Sequence, residues 1–237
     1  MKLKRTIIAM VLASAFAGPV AAGTFEEALD ANARGDYAKA LRLIRPFAND
    51  GDAGAQFNLG LMYMTGHGVQ QDDAGAALWF RKAAEQGYVL AQSNLGVFYR
   101  DGRGVTRDFA EATMWFRKAA DQGDAVGEYL LGYQYANGIG VPLDYGEAMS
   151  WFRKAAEQGH AVAKLQLGVM YAEGRGVPQD YILAHMWFSL AAAQGEQRAV
   201  QVPAMAEQRM TPAQIAEAQK LARDRKPATQ PTQLSPR

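Results

Sequence analysis

Apolar residues through the middle of the chain recur at helical spacing, in pairs of short stretches separated by glycine-rich breaks. Residues 89–124 show the pattern best. Ala91, Leu95 and Tyr99 stand at i, i+4 and i+8 with Phe98 beside them, which predicts a first helix. Asp101-Gly102-Arg103-Gly104 ends it, since glycine readily takes the left-handed conformation of a helix C-terminus. Asp108 is placed to cap a second helix by accepting backbone N–H bonds. In that helix Ala112, Trp115, Phe116, Ala119 and Ala120 fall at i, i+3, i+4, i+7 and i+8, a single buried stripe. Arg117 and Lys118 lie off the stripe, and Gly123 closes the helix.

The same unit is written four times. Trp79, Trp115, Trp151 and Trp187 stand 36 residues apart, and the stripes around them read Ala76-Trp79-Phe80-Ala83-Ala84, Ala148-Trp151-Phe152-Ala155-Ala156 and Ala184-Trp187-Phe188-Ala191-Ala192. Leu-Gly recurs at Gly60, Gly96, Gly132 and Gly168, Gly-x-Gly-Val at Gly66, Gly102, Gly138 and Gly174, and Asp at 72, 108, 144 and 180. A fixed period of this length marks a solenoid, in which each unit buries its apolar face against its neighbours. A glycine inside a helix costs about 1 kcal/mol relative to alanine. Its return in the same slot of every first helix predicts close approach of the paired helix. The expected fold is therefore all-α: an α-solenoid of antiparallel helix pairs in a right-handed superhelix.

The flanks depart from the period. Phe25 to Asp52 reads as a degenerate helical hairpin with Gly35-Asp36-Tyr37 as its turn. After Gly195, residues 196–209 predict one more helix, interrupted near Pro203, and Thr211-Pro212-Ala213-Gln214 is a capping-box start for a helix over 212–224. That helix gathers Ile215, Ala218, Leu221 and Ala222 on one side. The fourth repeat carries Ser189, Leu190 and Ala193 where the earlier ones carry Arg-Lys and an acid, so its outer face is expected to be covered, with 212–224 as the apolar partner. The organisation read is a leader at 1–22, the hairpin at 23–52, four repeats over 53–195, capping helices over 196–225 and a proline-rich, disordered tail from 226 to 237.

Composition and charge narrow the setting. Lys2, Lys4 and Arg5 precede the apolar run 7–16, and Val20-Ala21-Ala22 offers small residues at a cleavage site, the layout of a secretory signal peptide and too short for a membrane span. The chain carries a net charge of +1, and losing those three cations leaves the mature protein near neutral. It has no basic cluster of the kind that binds nucleic acid, and no membrane insertion is expected after cleavage. There is no cysteine. That removes disulfides, thiolate metal sites, a cysteine nucleophile and a lipidated cysteine. The reading is a soluble, exported monomer, periplasmic or secreted.

Candidate chemistry adds little. His67, His160 and His185 share no metal-ligand spacing. The Gly-x-Gly loops lack the third glycine of a phosphate cradle and join helix to helix. No Gly-x-Ser-x-Gly elbow occurs, and Ser14, Ser93, Ser150, Ser189 and Ser235 have no paired base visible in sequence. Neither a catalytic set, a metal site nor a cofactor is expected.

The motif LGxxYxxGxGVxxD followed by AxxWFxKAAxxG, read in Gly54–Gly87, Leu90–Gly123 and Val126–Gly159 and in altered form in Val162–Gly195, resembles the Sel-like repeats, relatives of the tetratricopeptide repeats. The first unit departs in having Asp73 where the others have Phe109, Tyr145 and Tyr181. The resemblance implies a protein–protein adaptor whose first helices line a concave groove. Transferred by register, the groove residues are Asn58 and Leu61, Asn94 and Val97, Arg100, Leu130 and Tyr133, and Gln166 and Val169. They grade from polar asparagines, suited to a peptide backbone, to an exposed Tyr133. Phe57, Tyr129 and Leu165, one residue earlier, are assigned to packing between repeats. Cysteine-rich exported relatives act on or bind β-lactams, which makes hydrolysis or binding of β-lactam or cell-wall substrates the alternative; the absence of cysteine sets this chain apart from them.

Overall fold

A computed structural model describes residues 19–225; the leader assigned to 1–22 lies outside the described residues apart from its last four backbone positions, and the tail at 226–237 lies outside them entirely. Among the described residues every regular element is helical. The helices are α1 (Pro19–Ala33), α2 (Tyr37–Asn49), α3 (Ala53–Thr65), α4 (Asp73–Glu85), α5 (Val89–Asp101), α6 (Phe109–Asp121), α7 (Ala125–Asn137), α8 (Tyr145–Glu157), α9 (Ala161–Glu173), α10 (Tyr181–Ala192), α11 (Val202–Glu207) and α12 (Pro212–Asp224). The chain divides into two compact units, one ending at Gln122 and the other beginning at Gly123.

In the first unit α1 pairs with α2, α3 with α4 and α5 with α6, and α2 packs on α3 and α4 on α5. In the second unit α7 pairs with α8 and α9 with α10, α8 packs on α9, and α10 also receives α11 and α12. The aspartates predicted as caps are caps: Asp72 accepts from the Ala74 amide at 2.9 Å, Asp108 from Ala110 at 2.9 Å, Asp144 from Glu147 at 3.0 Å and Asp180 from Leu183 at 2.9 Å. A cap of this kind is worth about 1 kcal/mol.

Two glycine positions set how closely the parts approach. A Cβ on Gly96 would lie 2.5 Å from a ring carbon of Phe116, and Gly60, Gly132 and Gly168 stand in the same relation to Phe80, Phe152 and Phe188. The helical glycine thus makes a slot for the stripe phenylalanine of its own pair. Gly104, at φ +63°, would place a Cβ 2.2 Å from the backbone of Asp73, so its loop sits directly on the start of α4. There Arg103 forks onto Asp73, with Nη2 at 2.7 Å and Nε at 3.2 Å from the carboxylate oxygens. This accounts for the acid at 73: Arg103 pairs with it. In the second unit the same contact is made by Arg175 over the ring of Tyr145, 5.8 Å to its centre.

One expectation about the C-terminal flank is corrected. Residues 196–209 form a 3-10 turn (Gln197–Ala199) followed by α11, and Pro203 lies in the first turn of α11, where a missing N–H has no helical partner to lose. Proline starts a helix here and does not interrupt one. His160 is the N-cap of α9, its Nδ1 accepting from the Ala163 amide at 3.2 Å.

Candidate functional site: the first-helix faces

The first helices α3, α5, α7 and α9 carry the residues that change from repeat to repeat. In the first unit Leu61, Asn94, Val97 and Arg100 are half-buried. Asn94 donates Nδ2 to the Leu90 carbonyl of its own helix at 2.7 Å. Arg100 pairs side-on with Asp101, at 2.7 and 3.1 Å. Asn58 departs from the expectation that its amide faces a ligand. It is 3% exposed, and its Nδ2 donates to the Gly54 carbonyl at 2.9 Å. Its Oδ1 is buried without a hydrogen-bond partner among the described residues.

In the second unit Tyr133, Gln166 and Val169 are half-buried and Leu130 is only 7% exposed. Leu130 therefore belongs to the interior. Tyr133 was expected to be exposed; it instead packs against the core cluster that includes Phe152, Leu167 and Trp187, while Val169 packs against the cluster that includes Leu165 and Phe188. A tyrosine held in this way presents one edge at little further entropic cost, a property of interface anchors. The packing assignments one residue earlier agree with the structure in part: Phe57 and Leu165 are buried, and Tyr129 is half-buried with its ring stacked on His160 at 4.7 Å.

Beneath these faces runs a polar clamp that sequence reading missed. Gln86 donates Nε2 to Gln56 Oε1 at 2.8 Å and to the Gly51 carbonyl at 2.9 Å; Gln122 repeats this on Gln92 at 2.8 Å and Gly87 at 3.2 Å. Gln56 and Gln92 in turn donate to the Ala48 and Ala84 carbonyls at 3.2 and 3.1 Å. The second unit puts charges in the same slot. Gln158 donates to Glu128 Oε2 at 2.8 Å, and Lys164 donates to Gln194 Oε1 at 2.9 Å. Burial pushes the Glu128 carboxyl above the usual carboxylate range, against the pull of Gln158 and Lys154, and burial pushes the Lys164 amine down. The signal was present in the sequence: Gln56 and Gln92 keep the period, as do Gln86, Gln122, Gln158 and Gln194.

The histidines do three separate things. His67 stacks on Tyr37 at 4.0 Å, and burial holds the His160 imidazole below its ordinary value, in keeping with a neutral ring that accepts a hydrogen bond. His185 Nε2 lies 2.8 Å from Glu207 Oε1 and its Nδ1 is 3.4 Å from Ser189 Oγ. This is the serine–base contact that sequence did not reveal, yet the surroundings do not suit acyl transfer. Ser189 sits inside α10, where neighbouring backbone N–H groups are engaged in helix bonds and offer no oxyanion hole. The His185–Glu207 contact instead ties α11 to α10. No group of His, Asp or Glu able to hold a metal ion occurs among the described residues.

The chain matches the Sel1 repeat family over residues 53–88, 89–124, 125–160 and 161–196. Its fold is similar to that of the protective antigen c5321 of uropathogenic Escherichia coli strains, which displays an SLR fold, with 36% identity and a TM-score of 0.77 over 86% of this chain. The match covers 46% of that antigen, so the chain spans about half its length. A Sel1 repeat protein from Oxalobacter formigenes is similar at 30% identity and a TM-score of 0.74, covering 85% of this chain and 82% of that one. An immunity protein from Pseudomonas aeruginosa shares the fold at 22% identity and a TM-score of 0.52, over 87% of this chain and 82% of its own. No curated protein matches the chain.

Proposed function

Because the chain belongs to the Sel1 repeat family, whose members generally serve as non-enzymatic scaffolds for protein–protein interaction, we propose that it is an exported scaffold holding a protein or peptide on its first-helix faces. The observation that supports this reading is the division of labour along each first helix. The glycine, the leucine before it and the apolar contact to the second helix stay constant, while Leu61, Asn94, Val97, Arg100, Tyr133, Gln166 and Val169 vary and stay partly open. A binding surface needs that combination: a rigid frame and side chains free to differ.

In the first unit Asn94, its Nδ2 already used, offers Oδ1 to a backbone N–H of an extended ligand, with Val97 and Arg100 following along α5. In the second unit the open edge of Tyr133 offers an apolar anchor. Export rests on the leader pattern at 1–22, and no helix among the described residues is long and apolar enough to cross a membrane. Affinity capture from an envelope extract, followed by binding of the captured partner to Tyr133→Ala and Asn94→Ala proteins, tests the reading. Each change should weaken binding by about 1 kcal/mol or more with the helical spectrum intact. A partner that binds both variants as well as the parent places its site elsewhere. Intact-mass analysis of exported protein should give a chain beginning at or beside Gly23.

A further inference from the structure

The second helices have an outer row, spaced at i, i+4 and i+8, that lies off the buried stripe. In α10 this row is Ile182, Met186 and Leu190, and it is covered: Met186 is 1% and Leu190 5% exposed. The cover is α12, which buries Ala218 and Ala222 and half-buries Ile215 and Leu221. The Arg225 guanidinium at the end of α12 lies 5.1 Å from the centre of the Trp187 ring. Alanines on the contact line let two helices approach at the short end of the 8–10 Å range.

The same row on α4 is Ala74, Leu78 and Lys82, and on α6 it is Ala110, Met114 and Lys118. Here it is bare. Leu78 is 53% exposed and Met114 38%, in the register of Met186. The tryptophan face that Arg225 covers in the second unit is covered in the first by lysines of the row itself, with Lys82 Nζ 4.0 Å above Trp79 and Lys118 Nζ 4.1 Å above Trp115. On α8 the row is Gly146, Ser150 and Lys154, too small to offer apolar contact, and it forms part of a shallow depression.

We propose that the outer rows of α4 and α6 each receive an amphipathic helix from a partner protein, in the way that α10 receives α12. The chemistry of that helix follows from the comparison. Its contact line is alanine with leucine or isoleucine, as at Ile215, Ala218, Leu221 and Ala222. Its difference from α12 is set by the row's last residue, a lysine at 82 and 118 where α10 has Leu190. A lysine covered by an apolar stripe is left desolvated and unpaired, so the occupant carries a carboxylate there. A cation in the place of Arg225 meets Lys82 or Lys118 and is repelled. This surface is distinct from the first-helix faces, and the inference does not depend on them.

A labelled synthetic peptide of residues 211–225, as it stands and with Arg225→Glu, is the probe, titrated into the full chain at low and high salt. The Arg225→Glu peptide should bind more tightly than the parent peptide and lose that advantage at high salt. A protein carrying Leu78→Asp and Met114→Asp should bind it about tenfold more weakly, and both positions are open enough that the helical spectrum should be unchanged. A photo-crosslinker at the peptide's Ala218 position should capture residues of α4 and α6. The proposal is overturned if the peptide does not bind saturably, if the double variant binds it equally, or if crosslinks fall on α10 through displacement of α12. It is also overturned if light scattering shows the parent chain as a dimer that the double variant abolishes, since a second copy then covers the row.

Discussion

Helices α6 and α10 are built on one inner stripe and differ in what lies outside it. Both bury the Ala-Trp-Phe-Ala part of the stripe, with the final alanine buried in α6 (Ala120) and half-buried in α10 (Ala192), and both close a pair in which a first-helix glycine receives the phenylalanine ring. Outside the stripe α6 shows Met114 and Lys118 to solvent, whereas α10 covers Met186 and Leu190 with α12 and lays Arg225 where α6 uses its own lysine. The inner stripe therefore determines the fold and the outer row determines the company. A repeat can change its neighbour without changing its frame, which is how a one-dimensional array adapts its ends.

The largest expected effect tests the shared half of that comparison. Trp115 is 4% and Trp187 5% exposed. Trp115→Ala and Trp187→Ala should each lower stability by about 3–5 kcal/mol, the usual cost of truncating a buried tryptophan, read by denaturant unfolding. If only one of the two is costly, the stripes are not equivalent and the common-frame argument fails. Next comes the half that differs. Leu190→Lys gives α10 the residue that α4, α6 and α8 carry, and it should lift α12 off its seat. The loss should be about 2–4 kcal/mol, in the range of removing a buried leucine contact. Limited proteolysis should then cut between residues 195 and 225 faster than in the parent; an unchanged cleavage rate means α12 is held by something other than the row.

How much of this was legible in the sequence depends on whether a feature keeps the 36-residue period. The stripe, the caps and the loop glycines recur, so their roles could be read by superposing repeats, and the clamp glutamines could have been found in the same way. Asn58 and Asn94 show where the method stops. Both precede Leu-Gly and both fold their amides onto their own helix, yet Asn58 is buried and Asn94 is half-buried. Exposure depends on neighbours in space, which register does not encode. Tyr133 and Leu130 were misjudged for the same reason. The His185–Glu207 contact joins residues 22 apart and outside the period, so no repetition announces it.

The clamp provides a smaller and more specific test, since the first unit keeps it neutral and the second charges it. With its pKa raised by burial, Glu128 favours the protonated form when folded. Below the ordinary carboxylate value of 4.5 it is neutral both folded and unfolded, and as pH rises through the folded value its ionisation destabilises the native state. Glu128→Gln should therefore stabilise at neutral pH, and the gain should vanish below that value. Lys164 has the opposite sign. Its lowered pKa penalises the native state at neutral pH, and the penalty fades as pH rises through the folded value and is gone above the ordinary value of 10.5. Lys164→Gln should gain about 1 kcal/mol at neutral pH, the net worth of one hydrogen bond, because glutamine can also reach the Ala156 carbonyl as Gln92 reaches Ala84. Melting curves across pH check both; a flat difference between Glu128→Gln and the parent removes the burial argument.

The smallest effect sharpens the opening comparison most. A cation lies over each tryptophan, supplied by the helix itself at Lys82, Lys118 and Lys154 and by α12 at Arg225. If the cation is a shared accessory and the apolar row is what seats α12, Lys118→Ala and Arg225→Ala should cost about the same, roughly 0.5–1 kcal/mol each. Arg225→Ala should then leave α12 in place, with protease resistance between 195 and 225 close to that of the parent. The reasoning is one of area: Met186, Leu190, Ala218 and Ala222 are withdrawn from water together, whereas a single guanidinium at 5.1 Å contributes one partly exposed contact. Should Arg225→Ala free α12 as completely as Leu190→Lys, the arginine is the latch. The difference between α6 and α10 would then lie in which chain segment supplies the cation, and the row would be secondary.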